Sequence, residues 1–149
     1  GKAFMRLDAL PQKSLIEPIE DCIQSFKPTI VTFPHIDSYD QDHRASALAT
    51  ITALRPLPQG LRHQPSLVLS YAEPYDWDIK EGFHPNFYLD ISLIMEEKIL
   101  LLKKHLSQMR KDPFPRSPEN LLRLSGFWGS QIGTKYAEAY KVVKQTVSI

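Results

Sequence analysis

No apolar run in the sequence approaches the roughly 20 residues that a bilayer-spanning helix needs, so no such helix is expected. The opening Gly1-Lys2-Ala3-Phe4-Met5 has no long apolar stretch, and the chain reads as one without a signal peptide, cytoplasmic in placement. A single cysteine, Cys22, excludes an internal disulfide and suits a reducing compartment. Neither sign of charge is in excess. The net charge of +1 provides no broad basic field, so neither nucleic acid nor a membrane surface is an expected partner. Repeats, low-complexity tracts and linkers are missing as well, which leaves one domain spanning residues 1–149.

What is present suits a globular domain: 149 residues, 42% hydrophobic and 23% charged, enough to bury a core. Prolines punctuate short elements. Ala3 to Leu7 reads as a short strand. Leu15, Ile16, Ile19, Cys22, Ile23 and Phe26 recur at helical spacing, with Ser14 as the expected N-cap, Pro18 in the first turn and Cys22 on the buried side. Thr29 to Phe33 is a continuous β-branched and aromatic run, as in strands buried on both faces, and Pro34 ends it. After a polar loop, a second helix is expected from Asp42 to Leu54. Ser66 to Tyr71 and Phe87 to Ile91 read as strands. Ser92 is the expected cap of a long helix with the stripe Ile94, Met95, Ile99, Leu102, Leu106 and Met109. Its acids come early and its bases late, as the helix dipole favours. Ser117, Pro118 and Glu119 open a further helix through Leu121, Leu122 and Leu124. Alternating helices and strands predict an α/β sandwich with a mostly parallel sheet.

The densest polar cluster, Asp37 to Arg44, follows the strand Thr29 to Phe33 and opens the next helix. Ligands in open α/β sheets bind outside the carboxyl ends of strands, so this is the expected site. A histidine in a first helical turn feels the positive end of the dipole, which favours the neutral, metal-binding imidazole. Asp42 would then orient His43 from behind the metal. The competing reading is a capped helix start, with Asp40 or Asp42 as N-cap and His43 merely exposed. His35 is placed to face the same cleft. His63 reads as a loop residue, and His105 as one that serves the helix dipole. The aromatics Tyr71, Tyr75, Trp77, Phe83 and Phe87 read either as a sugar-binding wall or as packing.

Several segments in shared order resemble one family. They are Lys27-Pro28-Thr29-Ile30-Val31, Tyr39-Asp40-Gln41-Asp42-His43-Arg44-Ala45 and Tyr71-Ala72-Glu73-Pro74. Phe83, Pro85 and Tyr88-Leu89-Asp90-Ile91-Ser92 follow, then Glu97-Lys98 leading into His105-Leu106-Ser107-Gln108, and finally Tyr136-Ala137-Glu138-Ala139-Tyr140. This series resembles the C-terminal portion of the LmbE/PIG-L N-acetylglucosaminyl deacetylases. The resemblance implies a Rossmann-like three-layer sandwich and zinc-dependent removal of acetyl groups from N-acetylated amino-sugar small molecules. By that match His43 is the metal ligand, Asp40 and Asp42 are catalytic, and Tyr39 and Arg44 contact substrate. Asp40 stands where many members carry an oxyanion-stabilising histidine.

The family's His-Pro-Asp-Asp motif, which supplies two further zinc ligands and the general base, does not occur in the sequence. The resemblance therefore implies an N-terminally truncated chain, weak or inactive as a deacetylase, with zinc absent or loosely held. The alternative is a non-catalytic remnant that binds a sugar or a partner. Without neighbours for the Thr29 to Phe33 strand, a homodimer or higher oligomer through its apolar edge is expected.

Overall fold

The computed structural model describes residues 6–58, 60–74, 76 and 82–147. They form two compact units, one made of residues up to Phe83 together with the chain from Lys141 onward, the other of His84–Tyr140. The architecture is α/β, as the alternating pattern predicts. Most of the proposed Ala3 to Leu7 strand lies outside the described residues, as do Tyr75 and Trp77. Leu7 itself belongs to a 3-10 turn, Leu7–Ala9.

In the first unit, α1 spans Gln12–Phe26 and is bounded by Pro11 rather than capped by Ser14, so Pro18 falls inside the helix. The helix ends where Lys27 turns left-handed (φ 48°) with its amide on Ile23 O, and Pro28 prevents continuation. Ile16, Ile19 and Ile23 face the core. Cys22 precedes Ile23 by about 100° of helix rotation and is exposed, contrary to expectation. β1 (Ile30–Pro34) and β2 (Leu67–Tyr71) pair in parallel, from Ile30 with Leu67 to Pro34 with Tyr71. Between them lies α2 (Gln41–Ala53), packed against both α1 and β1. A helix covered on two sides needs small residues. Ala45, Ala47, Ala49 and Ala53 are all buried, and alanine also has the best helix propensity. Ile23, Phe33, Ala47, Ala53, Leu54 and Val68 form the core. β1 is not buried on both faces, because Ile30 and Thr32 are exposed while Phe33 and Pro34 are buried.

The second unit contains β3 (Phe87–Asp90), α3 (Met95–Lys104), α4 (Pro118–Ser130) and the start of β4 (Ala137–Gln145). Ile94, not Ser92, precedes α3. The Ser92 hydroxyl instead donates to Tyr136 O and accepts from Tyr136 N, tying the turn to β4. α3 stops at Lys104, so His105, Leu106 and Met109 lie beyond it. Ser117 does cap α4, accepting from Asn120 N at 3.1 Å. β4 pairs antiparallel with β3 through Ala137–Tyr140 and antiparallel with β2 through Lys141–Gln145, giving the strand order β1-β2-β4-β3. Parallel pairing therefore holds for β1 and β2, while β4 runs against both its neighbours.

Candidate functional site

The parallel pairing of β1 with β2 brings two loops together at the carboxyl ends of both strands. His35 continues the ladder, donating its amide to Tyr71 O at 2.7 Å. Ser38, fully buried, closes a turn onto His35 O, and its hydroxyl donates to Asp76 Oδ1 at 3.0 Å. The same Asp76 oxygen accepts from Tyr39 N, while Asp76 Oδ2 accepts from Glu73 N at 2.9 Å. One carboxylate in the loop after β2 thus holds the loop after β1. Sequence reading missed Asp76. The available signal was its place three residues after Glu73 in a proline-bearing turn, where aspartate side chains commonly bond nearby amides.

Asp40 is the N-cap of α2, accepting from Asp42 N at 2.9 Å and His43 N at 3.3 Å. Asp42 is buried, and its Oδ1 accepts from Leu7 N at 2.7 Å and Asp8 N at 3.4 Å. Each expected catalytic aspartate therefore has one carboxylate oxygen committed to backbone amides. Arg44 turns back along the loop, and its Nη1 donates to Ser38 O at 2.7 Å and Tyr39 O at 3.1 Å. Tyr39 is exposed beside it.

His43 occupies the first turn of α2 with its side chain about a quarter exposed. Its Nδ1 is buried without a hydrogen-bond partner and lies 3.9 Å from Glu73 Oε1. His35 is the second histidine of this region. It is buried, its Nε2 has no hydrogen-bond partner and lies 4.0 Å from Asp37 Oδ2, and its ring meets Phe83 edge-on at 5.3 Å. Burial lowers the His35 pKa below its ordinary value. Lys141 adds to that effect, while Asp37 and Asp76 oppose it.

Of the remaining histidines, His63 makes contacts within the first unit, His105 takes part through its backbone, and His84 is exposed. His63 Nε2 lies 2.8 Å from Pro28 O and its amide donates to Gln24. His105 terminates α3, and its backbone carbonyl accepts from Gln108 and Met109.

Among the described residues, no group of three or more His, Cys, Asp or Glu side chains is arranged to hold a metal ion. A catalytic zinc site takes about three protein ligands. His43 with Glu73 nearby falls short of that number, so these residues do not by themselves make a zinc shell.

No family model matches the chain. Three solved structures are similar over nearly its whole length. The conserved protein TT1542 from Thermus thermophilus matches at a TM-score of 0.71 and 19% identity, over 97% of this chain and 64% of that one. N,N'-diacetylchitobiose deacetylase from Pyrococcus horikoshii, solved with an inhibitor, matches at 0.70 and 22%, over 91% and 54%. GalB, the 4-carboxy-2-hydroxymuconate hydratase from Pseudomonas putida KT2440, matches at 0.66 and 18%, over 100% and 64%. The chain thus shares the α/β fold of these three structures. It spans between about half and two thirds of the length of the structures it matches. No helix among the described residues is long and apolar enough to cross a membrane.

Proposed function

We propose that the chain is the histidine-bearing portion of a zinc-dependent deacetylase acting on N-acetylglucosamine-type substrates, weak or inactive on its own. The observation that carries this reading is His43. It stands in the first turn of α2, at the carboxyl end of a parallel strand pair, with Nδ1 facing a carboxylate. In a fold shared with a chitobiose deacetylase, that is a suitable place for a metal-binding imidazole. Tyr39, in the loop before α2, and Arg44, next to it in the helix, flank it, and the charges of Asp40 and Asp42 lie within the same turn of chain. One histidine and one carboxylate are too few ligands for firm catalytic zinc, so no hydrolytic step is assigned to these residues alone.

A second reading, a non-catalytic sugar- or partner-binding module of the same fold, is favoured by one observation. Asp40 and Asp42 both commit carboxylate oxygens to backbone amides, which suits a structural duty better than proton transfer. A shared fold does not choose between reactions, and a hydratase shares this one.

The test is zinc titration calorimetry on the wild type and His43→Ala, together with acetate release from N-acetylglucosamine and N,N'-diacetylchitobiose. Weak zinc binding that disappears with His43, and little or no acetate, is the expected result. Zinc binding indifferent to His43→Ala rejects the site. Brisk acetate release rejects the weak-or-inactive part of the reading. Sugar binding without any zinc binding selects the second reading.

A further inference from the structure

α3 has an outer face that the described residues leave uncovered. Its inner face is set by Met95, which is buried, and by Lys98, whose ammonium lies 2.6 Å from Glu138. Outside, Leu100 is 61% and Leu101 52% exposed. Leu93, just before the helix, is 100% exposed, and Leu106, just after it, is 81% exposed. Four large apolar side chains in one short stretch are more than a solvated surface ordinarily shows.

The charges on this helix are segregated. Glu96 and Glu97 lie in the first turn, Lys103 and Lys104 in the last. The two groups are about two turns, roughly 10 Å, apart along the axis, too far to pair with each other. The positions four residues from each charge inside the helix are Leu100, Leu101, Ile99 and again Leu100, so no i,i+4 partner exists. None of the four charges forms an ion pair with another described residue.

Taken together, the stretch from Glu96 to Lys104 is self-complementary about Leu100. Two copies laid antiparallel across a two-fold axis at Leu100 bring Glu96 and Glu97 against the partner subunit's Lys103 and the partner subunit's Lys104, and the reverse. The same superposition puts Leu100 on the axis. Parallel packing would oppose like charges. We propose that the outer face of α3 is the contact of a symmetric homodimer of this chain, an isologous interface of the commonest kind. A second copy fits better than an anionic lipid surface, which attracts the lysines but repels the two glutamates. The proposal is independent of the zinc reading.

Sedimentation velocity of the whole chain at tens of micromolar tests it. The wild type should form a dimer that weakens with added salt. The E96K/E97K and K103E/K104E variants change only exposed side chains, so circular dichroism should show both folded. Each should self-associate at least about tenfold more weakly, because like charges then face each other. An equimolar mixture of the two should restore a dimer, since one variant is then basic throughout and the other acidic throughout. A wild type that stays monomeric overturns the proposal. So does a dimer indifferent to both variants, which would put the contact elsewhere, for instance on the β1 edge.

Discussion

His43 Nδ1 and Glu73 Oε1 stand 3.9 Å apart, with the ring nitrogen buried and unbonded. In the neutral ring this arrangement favours the proton on Nδ1 and leaves the Nε2 lone pair for a metal or a substrate donor. Nitrogen-15 spectra of the neutral imidazole should therefore report the Nδ1–H tautomer in the wild type. Glu73→Ala should return His43 to the Nε2–H form preferred in free imidazole. Glu73→Gln, whose amide oxygen can still accept, should keep the wild-type form. One tautomer common to all three proteins would refute the pairing.

Gly129 and Gly126 lie one turn apart on α4 and should respond oppositely to alanine. A methyl at Gly129 would sit 2.7 Å from Thr134 O and 2.8 Å from Lys135 O, both backbone atoms that cannot swing aside. Gly129→Ala should cost about 1–3 kcal/mol, as overpacking does. At Gly126 the nearest atoms are 4.0 Å away, so Gly126→Ala should be neutral or stabilise by up to about 1 kcal/mol through helix propensity. Denaturant midpoints of the two variants decide, and equal shifts would contradict the packing seen at Gly129.

His35 should make the fold sensitive to mild acid. Burial holds its folded pKa below the ordinary 6.5. The unfolded chain therefore takes up the proton first as pH falls. The stability associated with the neutral ring is intact above that ordinary value and is lost as pH drops toward the lowered one. Melting temperatures from about pH 8 to about pH 5 should fall more steeply for the wild type than for His35→Gln, whose side chain does not titrate. Parallel curves would mean that His35 escapes burial in solution.

Glu138 accepts from Lys98 Nζ at 2.6 Å and from the Tyr140 hydroxyl. Burial alone would raise its pKa, but those two donors outweigh it and hold the carboxyl below its ordinary 4.5. Its contribution is present above that value and disappears as pH falls through the lowered one. Glu138→Gln should cost about 1–3 kcal/mol near neutral pH. The gap from wild type should narrow in acid. A gap unchanged down to acid pH would show that the loss is one of shape rather than charge.

The parts of the fold legible in the sequence were those with local causes. The β-branched run Thr29 to Phe33, the helix opened by Ser117, Pro118 and Glu119, and the helix expected from Asp42 to Leu54 each carry their instruction within a few residues. β4 does not. Ala137-Glu138-Ala139 is poor strand material by propensity, and it is extended because β3 and β2 supply its hydrogen bonds. Cys22 and Phe26 fit the helical spacing of α1 but lie off its covered side, since periodicity fixes spacing more firmly than it fixes the edge of the buried stripe.

The same division runs through the candidate site. The placing of His43 after a strand end followed from topology, and the capping role of Asp40 was one of two readings already open at the sequence level. Glu73 and Asp76 reach that loop only because Pro34 pairs with Tyr71, a contact between distant parts of the chain. The resemblance supplied Glu73 as part of a motif without a duty. Asp76 had none until its hydrogen bonds were seen.

β4 also fixes an order of assembly. Its first half completes a unit formed from one contiguous stretch of chain, whereas its second half must return to β2, where Gln145 meets Leu67. Closing that long loop is entropically easier once the stretch between has collapsed into a compact body. The second unit should therefore gain structure early, and the β2–β4 ladder should be among the last hydrogen bonds to form. During synthesis, moreover, β2 waits with one edge bare until Lys141–Gln145 emerges. That segment thus acts as the clasp that closes the first unit.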